Sequence, residues 1–106
     1  MIKELVVNGK HNTIDLLLKA DSVAEDLTTV TKVEFVDEAG VQTTISSEDD
    51  PDYFTWDPLK TGQTGKLICE LGEAGIPVGT YVFRVMIYDP VNTLGIFWDR
   101  ILIEVI

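Results

Sequence analysis

The sequence predicts an all-β fold: one antiparallel two-sheet sandwich of about seven strands with Greek-key connections, occupying residues 1–106 as a single domain. Three observations predict it. Turn-forming residues recur at short intervals, at Asn8-Gly9, Ala39-Gly40, Gly62 with Gly65, Gly72 with Gly75-Ile76-Pro77, Gly79, Asp89-Pro90 and Gly95. Between them apolar residues alternate with period two, the signature of strands buried on one face. The last third holds two long alternating runs separated by a short turn, which should pair as a hairpin. A length near ~100 residues suffices to bury roughly two-thirds of the unfolded chain's surface in one core without disulfides.

In chain order, Ile2 to Val7 is a short apolar run of strand character, and Ile14, Leu16, Leu18 and Ala20 alternate with Asp15, Leu17 and Lys19. Asp21 to Leu27 begins with Asp-Ser and carries Val23, Ala24 and Leu27, which predicts at most a turn or two of helix. Val33 and Phe35 alternate with Lys32, Glu34 and Val36, and Glu38-Ala39-Gly40 then turns the chain into Val41, Thr43 and Ile45 as a hairpin. Tyr53 to Asp57 reads as a short aromatic strand, and Leu67, Cys69 and Leu71 as the inward set of another. Tyr81, Phe83, Val85 and Ile87 form one face of the next run, with Val82, Arg84, Met86 and Tyr88 opposite. In the closing run Phe97, Ile101, Ile103 and Val105 share one parity, and Ile96, Trp98, Leu102 and Ile106 the other.

The segment from Leu71 to Val85, with Gly79-Thr80-Tyr81 opening the long strand, resembles the E–F corner of immunoglobulin-like domains. In that family a corner tyrosine ties its hydroxyl back to the backbone of the preceding loop, which the resemblance assigns to Tyr81, with Gly79 as the structural residue before it. The intersheet cysteine pair of antibody domains is missing, and Trp56 falls too late to match their strand-C tryptophan. The chain is also similar to small immunoglobulin-like structural proteins of bacteriophages and prophages, through its short acidic character and the phrases Tyr88-Asp89-Pro90 and Gly95-Ile96-Phe97-Trp98. That resemblance implies a virion-type head or tail component, made in the cytoplasm and associated with the particle.

Eighteen acidic side chains against eight basic ones give a formal net charge of -10. Phosphate contacts need clustered Lys and Arg, so nucleic acid is not an expected partner, and anionic membrane surfaces are disfavoured for the same reason. Met1 to Val7 is too short and too charged for the apolar region of a signal peptide. The single His, His11, falls in the turn Asn8-Gly9-Lys10-His11-Asn12 and reads as a surface residue, and with one His and one Cys, Cys69, a zinc or copper site is not expected. No nucleophile elbow or phosphate loop is present either, so the expected chain is not an enzyme and needs no cofactor.

Two features carry candidate sites. Glu48, Asp49, Asp50 and Asp52 place four carboxylates within five residues. They are hard oxygen ligands suited to calcium, but the spacing lacks the glycine bend of a calcium loop, and a solvated acidic connection between two strands is the favoured reading. The aromatics Tyr53, Phe54 and Trp56 beside them offer a stacking platform for a carbohydrate, or else simply pack into the sandwich. The second feature is the closing hairpin. If one parity fills the core, Val82, Met86, Tyr88, Trp98, Leu102 and Ile106 face outward, an apolar and aromatic set of the kind found at interfaces. Cover by another part of the chain is the alternative, and a bulge would exchange the two faces. The expected function is therefore a structural or assembly module acting through a protein partner or as a homo-oligomer.

Overall fold

The computed structural model describes residues 2–106. In chain order the strands are β1 (Ile2–Val6), β2 (Thr13–Leu17), β3 (Lys19–Ala20), β4 (Val23–Ala24), β5 (Lys32–Asp37), β6 (Ile45–Ser46), β7 (Phe54–Thr55), β8 (Lys66–Glu70), β9 (Gly79–Tyr88) and β10 (Ile96–Val105). One short helix, α1 (Pro58–Thr61), and a 3-10 turn at Pro51–Tyr53 flank β7. The chain is thus mostly β, as its alternation predicts.

The strands form a five-stranded sheet in the order β1-β10-β9-β5-β6, a three-stranded sheet β2-β8-β7, and the small hairpin β3-β4. All pairings are antiparallel except β1 with β10, which run parallel with Ile2 opposite Ile101 and Val6 opposite Val105. The two main sheets share one core. Val33, Phe35, Phe83, Val85, Ile101 and Ile103 from the larger sheet are buried together with Ile14, Leu16, Phe54, Leu67 and Cys69 from the smaller one. Phe35 meets Phe54 edge to face across this core, with ring centroids 5.6 Å apart, a favoured aromatic geometry. Inward and outward residues alternate strictly along β2 and β8, so the period-two signal of the sequence is the physical result of one dry face and one wet one.

Three segments differ from the sequence expectation. Asp21 to Leu27 is not helical: Asp21 and Ser22 take left-handed conformations, φ 51° and 65°, and reverse the chain between β3 and β4. Two consecutive positive φ values are what a tight two-residue hairpin turn requires, and Asp tolerates them. Residues 41–44 do not extend a strand, because the carboxylate of Asp37 accepts the backbone N–H groups of Ala39, Val41 and Gln42 at 3.0, 3.1 and 2.8 Å. The segment is held as a loop, and β6 begins only at Ile45. In β10 the register shifts between Phe97 and Asp99, a β-bulge opposite Val85. Upstream of it the faces exchange, so Phe97 lies opposite the outward Met86 and Ile96 opposite the inward Ile87.

Gly72 marks a point where only glycine fits. A Cβ there would sit 1.9 Å from the carbonyl oxygen of Lys10, and Gly9 N–H donates to the Gly72 carbonyl at 2.7 Å. This close crossing fixes the β1–β2 turn against the end of β8.

Candidate functional site

The register builds the outer face of the five-stranded sheet row by row. Leu102 on β10 lies between Val82 on β9 and Lys3 on β1. One row on, Arg100 faces Arg84, which in turn faces Val36 on β5. Phe97 faces Met86, which faces Glu34, and Lys32 faces Tyr88. Val82, Met86, Tyr88 and Leu102, predicted to lie outward, therefore do share this face and are half-buried there. Ile106, also predicted, is exposed at its end, where its N–H donates to the Val6 carbonyl and its own carbonyl accepts from Asn8.

Trp98 does not join them. The bulge leaves it without a partner opposite and turns it to pack against the core, half-buried, while Phe97 takes the outward place and is 53% exposed. The C-terminal half of β10, Ile101–Val105, is covered by β1, which is an edge strand of the sheet. Leu5 on that edge is exposed, in line with a strand that is not covered by the chain itself.

Two polar clusters interrupt the apolar rows. Glu38 stands between the two guanidinium groups: Arg100 donates from Nε at 2.6 Å and from Nη2 at 2.7 Å, and Arg84 from Nε at 3.3 Å. The hydrogen bonds from Arg100, with the one from Arg84 beside them, hold the Glu38 carboxyl down at about 2. The Asp37-organised loop delivers Glu38 to this position, and the Glu38 N–H extends the ladder by donating to the Val82 carbonyl at 3.0 Å. At the other end Tyr88 donates its hydroxyl to Glu34 at 2.5 Å, with Lys32 Nζ 4.2 Å from the Tyr88 ring centroid. Hydrogen bonding to Glu34, then burial, push the Tyr88 phenol up to about 12. Sequence reading missed the Glu38 cluster because its members lie 46 and 62 positions from Glu38 along the chain. The only available signal was that the chain's two arginines fall at equivalent places in paired runs.

At the corner, Tyr81 donates its hydroxyl to the Pro77 carbonyl at 2.8 Å and stacks on Phe83, while Gly79 packs beneath the Tyr81 ring. Cys69 is fully buried in β8, and burial pushes its thiol pKa up, so it packs as a small hydrophobe.

The acidic run follows β6. Glu48, Asp49, Asp50 and Asp52 are all exposed, and Glu48 pairs with Lys32 at 3.8 Å. Among the described residues no group of three or more His, Cys, Asp or Glu side chains is placed to hold a metal ion, so the structure does not gather these four as a calcium site would need. Of the neighbouring aromatics Phe54 is buried, and Tyr53 ties its hydroxyl to the Glu73 carbonyl at 3.0 Å. Trp56 lines a groove of about 360 Å³ with Asp52, Thr55, Lys60 and the buried Ser47. Among the described residues no helix is long and apolar enough to cross a membrane. Comparison with family models, curated proteins and solved structures gives no match.

Proposed function

We propose that the chain is an immunoglobulin-like sandwich that serves as a non-catalytic structural or assembly module through protein–protein contacts on the outer face of its five-stranded sheet. The observation that carries this reading is the make-up of that face, where the cross-strand pairs Phe97–Met86 and Leu102–Val82 flank a centre of two arginines. Aromatic residues, Met and Arg are the side chains enriched at the centres of protein interfaces, and Lys and Glu the ones depleted there. The immunoglobulin-like assignment is supported by the strand order β1-β10-β9-β5-β6 facing β2-β8-β7, and by the Tyr81 tie to its own loop. A setting in a phage or prophage particle, in head or tail, rests on the sequence resemblance.

The test is Leu102→Glu, which places a charge in the apolar row without touching the core. Sedimentation of the purified chain and its co-purification with the products of adjacent genes should show a complex that this variant weakens at least tenfold while its circular dichroism stays native. A wild-type chain that is strictly monomeric and co-purifies with nothing, or a variant that associates as well as wild type, removes this reading.

The Trp56 groove favours a second reading, a sandwich that binds a small polar ligand such as a sugar ring on the indole face, with Asp52 and Lys60 as hydrogen-bonding groups. Quenching or enhancement of tryptophan fluorescence by a glycan panel, abolished in Trp56→Ala, distinguishes it from the first.

A further inference from the structure

The outer face carries an electrostatic mismatch at its centre. Arg84 and Arg100, the only arginines of the chain, lie directly opposite each other on β9 and β10. Like charges in that relation destabilise a sheet unless something offsets them. Glu38 offsets one. Arg100 grips its carboxylate with two nitrogens, whereas Arg84 reaches it only through Nε at the longer 3.3 Å. Among the described residues the two terminal nitrogens of Arg84 donate to no protein group. The Asp99 carboxylate accepts the Arg100 backbone N–H through Oδ1 at 2.7 Å and, among the described residues, forms no ion pair with either arginine. The Arg84 side chain is 56% exposed and that of Arg100 49%, while Glu38 beneath them is only 20% exposed. Two forks and one carboxylate thus stand at the middle of an apolar face with a local charge of +1, within a chain of -10.

We propose that this face docks a different protein chain through a carboxylate of that partner, which takes the open end of the Arg84 guanidinium beside Arg100 and Glu38. The inference rests on the contact face proposed above and specifies its partner's chemistry. A guanidinium with two adjacent N–H groups free matches a carboxylate in a planar, bidentate pair, and such pairs are the stronger class of hydrogen bond. The half-buried Val82, Met86 and Leu102 around it would exclude water from the pair once a partner covers them. Repulsion from the rest of the chain is weak here: residues 81–106 carry Asp89, Asp99 and Glu104 against Arg84 and Arg100, a net of -1. Residues 48–60, by contrast, carry Glu48, Asp49, Asp50, Asp52 and Asp57 against Lys60, a net of -4. A second copy packed face to face about a two-fold axis fits poorly, because it brings four guanidiniums to two carboxylates and adds the self-repulsion of two strongly acidic chains.

The probe is a capped pentapeptide, Ser-Leu-Glu-Leu-Ser, against the same peptide with Gln for Glu, titrated into the isotopically labelled chain and followed by NMR. The Glu peptide should give saturable shifts of the Arg84 Nε–Hε signal and of the Val82, Met86 and Leu102 methyls. Those shifts should be lost with the Gln peptide, in Arg84→Gln, and in Arg84→Lys, which keeps the charge but not the fork. Retained dispersion of the other signals shows each variant folded. Equal shifts from both peptides overturn the carboxylate while leaving the contact face standing. If neither peptide moves these signals and Leu102→Glu also leaves association unchanged, both readings fall. A dimer in sedimentation that Arg84→Gln abolishes overturns the assignment to a different chain.

Discussion

At the scale of single residues, the side chains that matter most are those that settle a backbone. Asp37 is buried on the inward parity of β5, and three backbone N–H groups stabilise its carboxylate and hold its pKa below the usual range, with Gln42 the leading donor. That turn sets the loop, and the loop sets Glu38. Tyr81 acts likewise on the connection before β9, through a hydroxyl that reaches back four residues to Pro77. Tyr81→Phe keeps the ring on Phe83 and removes only this bond, so it should destabilise the fold by about 1 kcal/mol, the usual net value of one hydrogen bond. Chemical denaturation of the two proteins checks this, with an unchanged slope and a lower midpoint expected. Identical midpoints would mean that water satisfies the Pro77 carbonyl equally well. This tie was anticipated through the resemblance of Leu71 to Val85 to an immunoglobulin-like E–F corner, and the inert role of Cys69 through the apolar alternation of its strand. Asp37 was not, since a carboxylate on the inward parity reads as an interruption until its three donors are seen.

At the scale of elements, β10 shows where period-two reasoning holds and where it stops. From Ile101 to Val105 the parity read from the sequence is the parity of the structure, with Ile101, Ile103 and Val105 buried. A bulge inserts one residue and inverts everything before it, and no residue type at Phe97, Trp98 or Asp99 announces it. The consequence is a contrast between adjacent aromatics. Trp98→Ala should cost about 2 kcal/mol, less than full burial would imply, because the indole is only half covered. Phe97→Ala should stay within about 0.5 kcal/mol and instead weaken partner binding, as its ring faces outward opposite Met86. The reverse order of stabilities in thermal melts would place the bulge elsewhere. The helix α1 and the β3–β4 turn were missed for related reasons. Asp57-Pro58 is a start signal, with Asp57 capping the Lys60 N–H at 2.9 Å, but four residues leave no periodicity to read. The turn depends on left-handed Asp21 and Ser22, and although Asp tolerates that conformation, Ser does not signal it.

At the scale of the whole molecule, the charge of -10 is spread unevenly over a body of 34 × 27 × 27 Å, and its effect on stability has two parts of opposite sign. General self-repulsion opposes the compact state and is screened by salt, since the Debye length is about 10 Å at 0.1 M. Particular carboxylates do the opposite. Glu38 falls to about 2 in the fold from an ordinary 4.5, and Asp26, Asp37 and Asp89 are lowered too, chiefly by hydrogen bonds from backbone N–H groups. A group with a depressed folded pKa binds protons more readily when unfolded, so its contribution is complete above the unfolded pKa and is lost as pH falls toward the folded one. Between pH 7 and about 5, therefore, these groups change nothing, and raising NaCl from about 10 to 150 mM should raise the melting temperature by a few degrees through screening. Between pH 4.5 and 2 the melting temperature should fall as the carboxylates of Glu38, Asp37 and Asp89 lose their advantage. Glu38→Gln should be less stable than wild type at pH 7 and converge on it near pH 2, because the variant has no Glu38 carboxylate to lose. Parallel melting curves for the two proteins across that acid range would show that the Glu38–Arg84–Arg100 cluster contributes nothing to folding.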